Sequence, residues 1–125
     1  MLAPVILFVY NRPNHTKITI DALKKNTLAK DSILIIYCDG ILLNKDLEYY
    51  ENIEAVRQIC DNVDGFRDTI IIKSDYNKGL VNSIIEGVTE TLNKFEKVIV
   101  LEDDLITSPY FLEFMNEALD VYQKH

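Results

Sequence analysis

With 125 residues, 48% hydrophobic and 26% charged, the chain can bury one core and is too short for two. A formal net charge of −7, with no local cluster of Lys or Arg, argues against a nucleic-acid or other polyanion surface. Two cysteines make no disulfide framework, Met1 to Tyr10 lacks a basic leader, and no apolar run reaches transmembrane length, so a reduced, cytoplasmic setting without a transmembrane segment is expected.

Strand-like and helix-like segments alternate along the chain. Pro4 to Tyr10 (PVILFVY) reads as a strand that stops at the turn signal Asn11-Arg12-Pro13. Asn14 or Thr16 is placed to cap a helix running to about Asn26, with Ile18, Ala22 and Leu23 inward. Ser32 to Cys38 (SILIIYC) is a second strand, broken at Asp39-Gly40. Lys45 to Asp61 has approximate helical spacing in Leu47, Tyr50, Ile53, Val56, Arg57 and Ile59. Thr69 to Lys73 is a short third strand, and Lys78 to Phe95 a helix with Leu80, Ile84, Ile85, Val88 and Leu92 at helical intervals. Lys97 to Leu101 is the fourth strand. Ser108 opens a last helix, with Pro109 at its first position and Phe111, Leu112, Met115, Leu119 and Tyr122 on its apolar face.

This alternation predicts an α/β domain over residues 1–125: a mainly parallel sheet in the order third, second, first, fourth, with helices on both faces. Such domains carry further strands at their edges. The chain is therefore expected to be the first part of something larger, with an exposed sheet edge through which it self-associates as a homo-oligomer. Cys38 and Cys60 read as small core hydrophobes.

A parallel sheet brings the carboxyl ends of its strands to one edge, where ligands bind. Four polar clusters fall there: Tyr10-Asn11-Arg12, Cys38-Asp39-Gly40, Ser74-Asp75-Tyr76-Asn77 and Glu102-Asp103-Asp104. Taken singly, each is ordinary turn chemistry. The last stands out, because three successive acids after the apolar run Val98 to Leu101 repel one another at a desolvated edge. A hard divalent cation, Mn²⁺ or Mg²⁺, bound by one or two carboxylates and by phosphate oxygens of a ligand, removes that cost.

The strings Pro4 to Pro13, Cys38-Asp39-Gly40, Asn77-Lys78-Gly79-Leu80 and Val100 to Asp104, in this order, resemble the donor-binding half of a GT-A glycosyltransferase. The similarity is to bacterial family-2-like sugar transferases and to the N-acetylglucosaminyltransferase I group, and it extends over essentially the whole chain. It implies a Rossmann-like nucleotide-binding half-fold, a nucleotide-sugar donor (a UDP-sugar) and transfer of the sugar to a saccharide or lipid-linked acceptor, as in polysaccharide biosynthesis. On that likeness Asp104 contacts the metal, with Asp103 beside it or facing the ribose, and Glu102 lies near the donor sugar. Asp39 accepts a hydrogen bond from the base, which suits the N3–H of uracil. Tyr10, Asn11 and Arg12 line the nucleotide pocket, and Asn77 and Gly79 shape a loop over the donor. The residues leave other roles open: Arg12 as a cap or surface ion pair, Asp39-Gly40 as a plain turn, Asn77 as a helix cap. His15, His125 and the tyrosines Tyr49 and Tyr50 read as surface or packing residues. No second acidic site stands out after Asp104, so a general base is not expected within the chain. A receiver-like signalling domain would place its paired acids after the first strand, where Asn11-Arg12 stands. A nucleotidyltransferase would carry a Gly-rich loop there. A non-catalytic nucleotide-binding module stays open.

Overall fold

A computed structural model describes residues 1–123. Four strands, β1 (Val5–Val9), β2 (Ile33–Cys38), β3 (Asp68–Lys73) and β4 (Ile99–Glu102), form one sheet in the order β3-β2-β1-β4. Every pairing is parallel, with Val5 opposite both Leu34 and Ile99, and Leu34 opposite Thr69. β1 is central, and all five of its residues are buried, as an uninterrupted β-branched and aliphatic run requires of a strand covered on both faces.

The two faces are covered unequally. Val5, Leu7, Val9, Leu34, Ile36, Ile99 and Leu101 meet α1 (Pro13–Lys24), α2 (Leu47–Asp61) and α4 (Phe111–Gln123) through Ile20, Leu23, Val56, Cys60 and Leu112. The opposite face, built on Ile6, Phe8 and Ile35, is covered by α3 (Leu80–Phe95) through Ile84, Val88 and Phe95. One helix cannot span four strands. Ile70, Ile72 and Val100 on that face accordingly stay partly exposed to either side of it. Cys38 and Cys60 are free and buried, as small hydrophobes should be.

Several helix boundaries and faces depart from the periodicity. α1 opens at Pro13, because a fixed φ and a missing N–H suit the first helical position; Arg12 is its N-cap, without a side-chain cap, in place of Asn14 or Thr16. Its buried stripe is Thr16, Thr19, Ile20 and Leu23, and Ile18 is exposed. Leu47 on α2 is exposed because it lies in the first turn, just past the N-cap Asp46 that accepts from Tyr49 N. α3 starts at Leu80 rather than Lys78, after Gly79 with φ +80, and it leaves Leu80, Ile85 and Leu92 in solvent. α4 starts at Phe111, not Ser108. A tertiary cap sets that start: Asn26 Oδ1 accepts from Leu112 N at 2.9 Å, while Pro109 O accepts from Thr27 N at 3.1 Å. Leu112 is buried, but Tyr122 at the far end of the same helix is exposed. Among the described residues no helix is long and apolar enough to cross a membrane. His125 lies outside the described residues.

Candidate functional site

The carboxyl ends of all four strands open into one cavity of about 480 Å³. Tyr10, Asn11 and Arg12 enter it where β1 turns into α1, and Asp39 directly after β2. Asn77 and Gly79 come from the β3–α3 loop, and Glu102, Asp103 and Asp104 from the end of β4. All nine residues expected from sequence therefore line one wall or another of the same space. Phe8, Val9, Tyr37, Leu42, Leu80 and Ser83 complete it. At the floor the Phe8 and Tyr37 rings stack against each other, with centroids 5.3 Å apart and 17° between their planes.

Asp39 is the best-tied of these groups. Its Oδ1 accepts from the backbone N–H of Gly40 at 2.8 Å and of Lys78 at 2.9 Å, and its Oδ2 accepts from Gly79 N at 3.0 Å. A carboxylate has about four acceptor positions, so one remains on Oδ2 for a donor entering the cleft. Asn77 is not a helix cap: its Nδ2 donates across the sheet edge to Gly40 O at 2.9 Å, and Gly79 holds the N-cap position. The two loops touch backbone to backbone at Gly40, where a Cβ would stand 2.3 Å from the Tyr76 carbonyl carbon. Only glycine fits there.

The acidic corner is electrostatically divided. Burial pushes the Asp103 carboxyl above its usual range; Arg12 pulls it back, and Asp104 pushes it up again. Asp103 is half-buried, Asp104 and Arg12 are exposed, and the Asp103 carbonyl is tied to α1 by Thr19 Oγ1 at 3.0 Å. His15 is exposed, as expected, although its charge also reaches Asp103. Among the described residues no three His, Cys, Asp or Glu side chains gather closely enough to enclose a metal. Two adjacent carboxylates at the mouth of a cleft instead fit a hard divalent cation that takes its remaining ligands from phosphate and water.

Tyr10 faces the other side. Its hydroxyl hydrogen-bonds that of Tyr49, and its acidity is suppressed first by burial, then by that bond and by the Asp39 charge. Tyr49 in turn accepts from Leu42 N at 2.9 Å, and Tyr50 donates to Leu42 O at 2.9 Å. The packing tyrosines of α2 thus hang the β2–α2 loop beside the cleft, a role that no local pattern reveals. Arg57, outside the cavity lining, donates to the Asp39 carbonyl at its edge and was not among the residues expected from sequence. The signal available was a single cation on the inner stripe of α2, beside Val56 and between Ile53 and Cys60.

No protein-family model matches the chain, and no curated protein is similar to it in sequence. Among solved structures it is similar in fold to the crystal structure of S. aureus TarS, with a TM-score of 0.65 and 14% identity. That similarity covers 98% of this chain and 20% of TarS, so the chain spans about a fifth of the neighbour's length. At that identity the likeness shows a shared fold.

Proposed function

We propose that this chain is the donor-binding part of a GT-A-type glycosyltransferase, taking a nucleotide diphosphosugar, a UDP-sugar, in the cleft at the carboxyl edge of its sheet. One observation carries the proposal: nine polar and glycine residues from four separate segments of the sequence line one cavity, on a fold similar to that of TarS, a staphylococcal glycosyltransferase.

Each residue has a task that its surroundings suit. Asp39 keeps one acceptor position free, which suits a base N–H such as N3–H of uracil. Tyr10 and Asn11 border the nucleotide, and Arg12 brings a fixed positive charge to the side of the cleft where a diphosphate would lie. Asp104, with Asp103 beside it, would hold Mn²⁺ or Mg²⁺. When bound, such an ion neutralises the diphosphate and makes it a better leaving group as an acceptor hydroxyl attacks the sugar. Glu102, last in β4, is placed to meet hydroxyls of the donor sugar. Phe8 and Tyr37 keep the floor apolar, which strengthens every charged contact above it. A saccharide or lipid-linked acceptor and the general base would come from beyond these elements.

The test is calorimetry with UDP in Mn²⁺ against UDP in chelator. Binding should tighten at least about 10-fold with the ion, and Asp104→Asn should abolish the difference while leaving the fold intact. Equal affinity with and without the ion would refute the proposal.

A further inference from the structure

Arg57 does not line the cavity, yet it reaches beneath it. Its Nη2 donates to Asp39 O at 3.1 Å and Ser74 O at 3.4 Å, the first carbonyls past the ends of β2 and β3, and its Nε is buried with no partner among the described residues. On the cleft side of the same junction, Asp39 receives the amides of Lys78 and Gly79, and Asn77 donates to Gly40. Gly79 is the N-cap of α3 and has no side-chain cap of its own.

We propose that Arg57, Asp39 and Asn77 form a polar latch joining the end of β2 to the β3–α3 loop, which makes Arg57 a positioning residue for the ligand cleft. The reasoning starts from what α3 lacks. A helix leaves its first four N–H groups without internal partners, and this one begins on a glycine at positive φ, a conformation with little local preference. Left to itself, the Asn77–Gly79 segment would sample many conformations. Two charge-assisted bonds to Asp39 select one, and the guanidinium below holds the Asp39 and Ser74 carbonyls at the spacing those bonds need. The amino end of α3, with Leu80 and Ser83 on the cavity wall, then stands at a fixed height over the floor. A donor bound to the free acceptor position of Asp39 would sense the state of the latch, so ligand affinity and loop order are coupled.

The ligand half of this inference rests on the nucleotide-sugar proposal above; the latch itself does not. Amide exchange, followed by NMR in the protein without nucleotide, tests the latch. Asp39→Asn and Arg57→Met should each speed exchange at Lys78 and Gly79 by at least about 10-fold, with core amides such as Leu7 and Ile36 unchanged. Arg57→Lys should restore most of the protection, since an ammonium can still reach a carbonyl. Unchanged exchange at Lys78 and Gly79 in both Asp39→Asn and Arg57→Met would overturn the latch, whether or not nucleotide binds. The positioning role is read from UDP affinity in Mn²⁺. Arg57→Met, remote from the cavity wall, should weaken it about 10-fold in protein that remains folded at the assay temperature, and Arg57→Lys should recover it. Wild-type affinity in Arg57→Met would overturn the positioning role. If the wild-type protein binds no UDP in Mn²⁺, the nucleotide proposal fails, while the exchange result still decides the latch.

Discussion

Gly40→Ala should open the junction between β2 and the β3–α3 loop more decisively than any loss of a side chain. The added Cβ would lie 2.3 Å from the Tyr76 carbonyl carbon, 2.4 Å from its oxygen and 2.8 Å from Asn77 N. All three are backbone atoms, so no rotamer change relieves the contact. Restoring van der Waals separation requires the two backbones to part by about 1 Å. Three hydrogen bonds cross the same gap at 2.9–3.0 Å: Lys78 N and Gly79 N to Asp39, and Asn77 Nδ2 to Gly40 O. Stretched by that amount they pass beyond hydrogen-bonding range. Bonds to a charged acceptor contribute about 1.5–3 kcal/mol each and a neutral one about 1 kcal/mol. The junction is only partly buried and water replaces much of what is lost, so the net destabilisation should be about 2–4 kcal/mol. Urea denaturation at neutral pH measures it, as a lower midpoint at unchanged slope. A loss below about 0.5 kcal/mol would show that the loop shifts freely, and the account of this junction would be wrong.

Other perturbations follow from the same structure. Gly87 on α3 sits over the aromatic floor, where a Cβ would meet Phe8 Cζ at 2.9 Å and Tyr37 Cε2 at 3.1 Å. Gly87→Ala gains about 1 kcal/mol of helix propensity against an overpacking cost of about 1–3 kcal/mol, so thermal melting should show a net loss near 1 kcal/mol and not a gain. Leu7, fully buried on the central strand, should cost about 2–5 kcal/mol when cut to Ala, read from the same urea curves. The Asp103 carboxyl titrates above its unfolded value when folded, first because it is buried, so the native state holds that proton more tightly than the unfolded chain does. Its contribution to stability is therefore lost as pH rises from the ordinary carboxylate value through the raised one. Asp103→Asn should be at least as stable as wild type at pH 7 and should flatten stability across that window, measured as urea midpoints from acid to neutral pH. A wild-type protein that gains stability through this window while the variant does not would reverse the sign and refute the assignment.

Much of this molecule was determined by features that act locally. Four β-branched runs separated by helical periodicity specify a parallel sheet with crossovers, because successive parallel strands need a helix-length connection and the crossovers have one hand. That same geometry sends every strand's carboxyl end to one edge, so Tyr10, Asp39, Asn77 and Asp104 were bound to meet once the alternation was recognised. Helix faces were less legible. Ile18, Leu47 and Leu80 fit an apolar period yet face solvent, because burial depends on where a helix is docked and how much sheet lies under it. Helix starts were decided the same way, as at α4, where Asn26 supplies the cap from 86 residues away. The working of the site belongs wholly to tertiary structure. Apart from the family resemblance, Asp39 reads in sequence as half of a common turn pair, and Arg57 as one more position on an amphipathic helix. Only the folded chain brings two carbonyls over the guanidinium and two loop amides onto the carboxylate, because those partners come from three segments up to 40 residues apart. Hydrogen bonds of that kind leave no period in a sequence.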